Sequence, residues 1–141
     1  MKRAENVIHA RFAHLRPEVE GLWVEPVGTL VIARMRGHPT EELLRECQDR
    51  VMQVMRDTRF SNVLYDALEL EAPSVDVVMS QRKLDERDAD TPIRRAIVVP
   101  NSKLAYLARL AFGDGNYRVF YNDITDAVVW LNSQEPGQMI N

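Results

Sequence analysis

The sequence predicts an α/β fold: a mixed, largely parallel β-sheet with an N-terminal hairpin and about four helices. Two observations carry this. The stretch from Arg95 to Leu131 alternates strand-like and helix-like patterns twice, the unit of a parallel sheet. Ahead of it, two strand-like runs share a short turn and lead into a long amphipathic helix.

The carboxyl half gives the plainest pattern. Ala96-Ile97-Val98-Val99 is a continuous apolar run that reads as a strand. Pro100-Asn101-Ser102 stop it and can cap a helix, in which Leu104, Leu107, Ala108 and Ala111 recur at helical spacing. Gly113 to Asn116 read as a turn, and Tyr117 to Tyr121 as a strand. Asn122-Asp123 cap a last helix with Ala127, Val128 and Leu131 on one face. Val98, Leu107, Val119 and Leu131 are all expected to be buried on one sheet.

Residues 1–18 form an N-terminal extension with two open readings. Ile8, Phe12 and Leu15 follow helical spacing, ending before Pro17, while Val7 to Phe12 also suit an edge strand. His9 and His14 lie here without a Cys or carboxylate pattern, so they read as polar-face histidines rather than metal ligands. The single domain spans 19–132. Gly21 to Glu25 is the first strand, Pro26-Val27-Gly28 the turn, and Thr29 to Met35 the second strand. Pro26 suits an edge strand or turn, since it cannot donate to a ladder. Thr40 is a helix N-cap, with Glu41 and Glu42 at the positive helix start. Leu43 or Leu44, Cys47, Val51, Val54 and Met55 form the buried stripe, leaving Arg45, Glu46, Asp49, Arg50, Gln53 and Arg56 to water. Cys47 on that stripe reads as buried and inert.

Val63 to Asp66 is a short strand, and Ala67 to Ala72 a loop. Ser74 caps a helix whose face is Val75, Val78, Met79 and Arg82, with Asp76 in the first turn. The mixed-charge run Asp85 to Asp90 lacks the glycine and distal glutamate of a calcium loop and reads as a solvated helix end. Ile93 to Val99 is the next strand, and 133–141 a C-terminal tail.

Composition bounds the function. The chain has 141 residues, a formal net charge of −3 and one cysteine, Cys47; its pI is about 5.6. One domain is the expectation at this length. The acidic balance disfavours capture of nucleic acid or anionic lipid. A lone cysteine forms no intrachain disulfide and fits a reducing cytoplasm. Residues 1–6 open no leader-like apolar run, and no run approaches the ~20 residues of a membrane span. No nucleophile–base spacing, paired carboxylates, metal motif or P-loop stands out, so no enzyme, cofactor or metal is expected.

In open α/β sheets, ligands and partners meet the carboxyl ends of the strands. Three strand ends gather polar caps there: Asp66 to Ser74, Asn101-Ser102, and Asn122-Asp123. Asp66, Ser74, Asn101, Ser102, Asn122 and Asp123 are therefore the candidate contact edge. Each is also explained as a cap, and only their shared edge points to a site.

The order of elements resembles a STAS domain of the SpoIIAA-like group. The likeness rests on Gly28 to Gly37, Val63 to Asp66, Ala96 to Pro100, Leu104 to Arg109, Tyr117 to Tyr121 and Asp126 to Leu131, and covers about 19–132. It implies a non-enzymatic regulatory or scaffolding module working through protein–protein contacts. The alternative, from some relatives, is a carrier of a small apolar or lipid-like ligand. Homodimer formation stays open. The regulatory antagonists carry Asp-Ser at the helix start after the central strand and are phosphorylated on that serine. Here the region reads Ala72-Pro73-Ser74-Val75-Asp76, with a serine but no preceding aspartate.

Overall fold

A computed structural model describes residues 19–133. The proposed helix or strand within 1–18, with His9 and His14, and the tail from Gln134 lie outside the described residues.

Strands β1 (Leu22–Val27) and β2 (Leu30–Gly37) form an antiparallel hairpin. Its two-residue loop is Gly28-Thr29, with Gly28 at φ 62°, where a type II′ turn takes glycine. The turn thus lies two residues later than the sequence suggested. Pro26 sits inside β1 opposite Val31, tolerated because β1 is the sheet edge. Helix α1 (Glu41–Thr58) follows, then β3 (Asn62–Leu70), α2 (Val75–Arg87), β4 (Arg94–Val99), α3 (Ser102–Phe112), β5 (Tyr117–Tyr121) and α4 (Ile124–Asn132). The sheet order is β1-β2-β3-β4-β5, with β2 to β5 parallel. The fold is α/β with a five-stranded mixed sheet, four helices and an N-terminal hairpin, as expected.

Strand alternation splits the core in two. Val31, Ala33, Val63, Tyr65, Ile97 and Val99 face α1 and α3; Leu64, Ala96, Val98 and Phe120 face α4. Val98 and Leu131 therefore share one layer, whereas Val119 packs into the other and is only half-buried. Leu107 packs with Val78 and Ala111 in a third cluster, between α2 and α3. The four therefore share no single core: the sheet separates Val98 and Leu131 from Val119, and Leu107 packs between helices rather than on the sheet.

β3 is nine residues long, so Ala67 to Leu70 continue the strand rather than forming a loop. They pair with the end of β2 across a bulge: Arg34 is level with Asp66, but Arg36 with Glu69. On α2 the buried face is Val78 and Gln81, while Val75 is 60% exposed. The helix packs mainly on α1 and α3, so its apolar arc is narrow. On α1, Glu46 and Arg50 do not simply face water. They form an i,i+4 pair at 2.9 Å, largely shielded from solvent.

Candidate functional site

The carboxyl edge of the sheet is built from four helix starts. Thr40 Oγ1 accepts from the Leu43 N–H at 3.0 Å, and Ser74 Oγ from the Val77 N–H at 3.3 Å. Asn101 Oδ1 accepts from the Leu104 N–H, and Asp123 Oδ1 from the Asp126 N–H, both at 2.9 Å. Each cap answers one of the four N–H groups left open at a helix start. Asn122 ties the β5 end to the β4 end: its N–H donates to Val99 O, and its Nδ2 to Pro100 O at 3.3 Å. It does so at φ 54°, in the left-handed region that asparagine enters more readily than most residues. Ser102, the first residue of α3, is exposed. So Ser74, Asn101, Ser102, Asn122 and Asp123 all flank the ends of β3, β4 and β5.

Asp66 does not join them. Because β3 runs on to Leu70, Asp66 lies within the strand, level with Val98, and is 7% exposed. Its Oδ2 accepts from Arg34 Nε at 3.1 Å, and its Oδ1 accepts from the Leu68 N–H at 3.1 Å beside the bulge. Asp66 thus holds the irregular pairing of β2 and β3.

Three large side chains at this edge are exposed. Val75, which opens α2, was expected on the helix's packing face but is 60% exposed; Tyr106 sits in the first turns of α3 and is 63% exposed, and Tyr121 ends β5 and is 49% exposed. Nothing in the spacing of the two tyrosines marked them, since an exposed tyrosine breaks no local pattern.

Below the edge, α1, α2, α3 and the sheet line an apolar cavity of about 80 Å3, bordered by residues that include Met35, Tyr65, Val78, Leu107 and Phe112. Cys47 also lines it. Burial pushes its thiol from 9.0 up to about 12, and Arg50 and Arg95 pull the other way with less effect. Burial likewise pushes the Tyr65 phenol up to about 12. Neither group is ionised near neutrality, so neither is a ready nucleophile. The Tyr65 hydroxyl makes no well-formed hydrogen bond among the described residues, but the Arg95 guanidinium lies close enough to oppose the effect of burial.

Polar contacts clamp α2 over this cavity. Arg95 Nη2 donates to Asp85 at 2.6 Å, and Gln48 Nε2 donates to Asp88 at 3.1 Å. Arg87 hydrogen-bonds Asp88, which holds the Asp88 carboxyl below its usual range. The Asp85 to Asp90 run is therefore more than a solvated helix end: two of its carboxylates hold α2 to the body. Among the described residues no three of His, Cys, Asp and Glu gather as a metal set, and no helix is long and apolar enough to cross a membrane.

No family model matches the chain, and no curated protein does. Solved structures do. An uncharacterized protein with a SpoIIAA-like fold from Shewanella loihica PV-4 is 20% identical, with a TM-score of 0.61 over 83% of this chain and 98% of its own. An anti-sigma factor antagonist from Mycobacterium paratuberculosis is 13% identical, with a TM-score of 0.58 over 79% and 93%. The anti-sigma factor antagonist SpoIIAA in its unphosphorylated form is 11% identical, with a TM-score of 0.51 over 77% and 95%. At these identities the likeness is one of architecture, and it is complete enough to say that the chain has the SpoIIAA-like, STAS-type fold.

Proposed function

We propose that the chain is a non-enzymatic regulatory or scaffolding module of the cytoplasm that binds a protein partner at the carboxyl edge of its sheet. One observation carries the reading. Val75, Tyr106 and Tyr121 are exposed at the same edge as the capped helix starts Ser74, Asn101 and Asp123. Aromatic anchors beside polar groups are what a protein interface uses. Support also comes from the fold, which this chain shares with anti-sigma factor antagonists. The carrier reading has less behind it: the apolar cavity is about 80 Å3, whereas pockets for drug-sized ligands run to roughly 300–1,000 Å3.

The test is capture of a partner from native cells by tagged wild-type protein and by a Tyr106→Glu/Tyr121→Glu variant. Both side chains are about half exposed or more, so the variant should melt like the parent. Capture should be lost. Equal capture by a normally folded variant would refute the edge.

A further inference from the structure

Strand β5 closes the sheet on the side away from the hairpin, and among the described residues no strand pairs with its outer side. We propose that this edge pairs antiparallel with β5 of a second copy of the chain, about a two-fold axis at Val119.

The backbone is the first argument. The Asn116 C=O accepts from the Arg95 N–H, and the Asn122 N–H donates to Val99 O, so the even-numbered residues of this stretch point their peptide groups at β4. By alternation Tyr117, Val119 and Tyr121 hold their N–H and C=O groups outward, at the open edge. With Val119 set opposite Val119 of the second copy, Tyr117 falls opposite Tyr121. All three outward residues then lie in pairs that exchange N–H···O bonds, and the whole strand is used. The two sheet edges differ in how they are guarded. Pro26 removes a donor from β1, whereas β5 has no proline and keeps a regular register with β4.

Charge and side-chain order give the occupant and the register. Tyr117-Arg118-Val119-Phe120-Tyr121 has tyrosine at both ends and a single charge, at Arg118. In the pairing centred on Val119, each Arg118 faces Phe120 of the other copy, and the tyrosines meet as aromatic pairs on either side of the axis. Centring on Arg118 sets two arginines face to face, which is unfavourable, and centring on Phe120 leaves Tyr117 without a strand residue opposite it. The strand is thus complementary to itself, as a closed two-fold contact requires, whereas β1 against β5 would not close. Two copies joined in this way form one continuous sheet. Their β5 strands run in opposite directions, so the two carboxyl edges lie on opposite rims, and the dimer offers one partner site on each.

The test uses the full chain. Light scattering should give a mass of twice 16.2 kDa. Val119→Pro removes an outward donor and leaves the β4 ladder intact, so it should give a folded monomer. A nitroxide on Arg118→Cys keeps Val119 and reads the register directly, because Cys47 is buried and the label goes to position 118. In the dimer the two labelled residues are diagonal neighbours with backbones about 8 Å apart. Their spectrum should broaden by spin–spin coupling, and dilution with unlabelled chain should remove the broadening. A monomeric wild-type chain overturns the proposal. So does a dimer without broadening at position 118, or one that survives Val119→Pro in a folded chain. None of these variants alters Tyr106 or Tyr121, so the partner edge is tested apart from the dimer.

Discussion

Truncating Asp85 should destabilise the fold far more than replacing Arg95 by a neutral side chain of similar length. Arg95 is 4% exposed at the start of β4, with its guanidinium 4.6 Å from the centre of the Phe112 ring. Its Nη2 meets Asp85 at 2.6 Å, and its Nε has no hydrogen-bond partner among the described residues. The Asp85 side chain keeps 23% of its surface. Asp85→Ala strands a buried cation, a loss of about 3–5 kcal/mol. Arg95→Met removes the cation, keeps apolar volume against Phe112, and leaves a carboxylate that can rehydrate, so the cost should be about 1 kcal/mol. The double variant should resemble Arg95→Met, because no charge is then left buried. Urea unfolding of all four proteins, with m-values compared to check two-state behaviour, reads the difference. If Asp85→Ala cost no more than Arg95→Met, the claim that Asp85 neutralises a buried charge would fail.

Alkaline pH should weaken the fold. The Cys47 thiol is raised from 9.0 to about 12, so the unfolded chain loses that proton first, and stability present below pH 9 drains away towards pH 12. At about pH 10.5 the thiol alone accounts for roughly 2 kcal/mol. Cys47→Val should flatten that limb in denaturant titrations, and an unchanged slope would contradict a buried thiol. Tyr65→Phe should change thermal stability by no more than about 1 kcal/mol, because the buried hydroxyl makes no well-formed hydrogen bond and only interacts with the nearby Arg95 guanidinium. A clear loss would reveal a partner for it. Ser74→Ala should cost about 1 kcal/mol and Ser74→Asp little, since Asp caps equally well. If Ser74→Asp kept stability but changed partner capture, Ser74 would be a switch as well as a cap.

What could be read from the sequence was local. Thr40, Ser74, Asn101 and Asp123 cap helices through side chains three residues from the N–H they accept, and such pairs are visible in a short window. The apolar run at 96–99 marked a strand, and it forms the buried part of β4. What escaped was set by distant chain. Ala67 to Leu70 extend β3 because they meet the end of β2, about thirty residues upstream. Asp66 is buried for the same reason, with Arg34 32 positions away. Gln48 and Asp88 are 40 apart, so the mixed-charge run looked free.

The misplacement of Asp66 bears on the site itself. A cap satisfies one N–H and leaves others in the first turn open to water or a partner. Any capped edge offers that, so the caps alone select no particular partner. Selection requires side chains that only this chain presents there. With Asp66 withdrawn into the sheet, the edge loses a fixed carboxylate beneath the β3 end. Its distinguishing surface becomes apolar: Val75, Tyr106 and Tyr121 around Ser74, Asn101 and Asp123. The affinity of a partner for this edge should therefore depend more on burying the two tyrosine rings than on ionic strength.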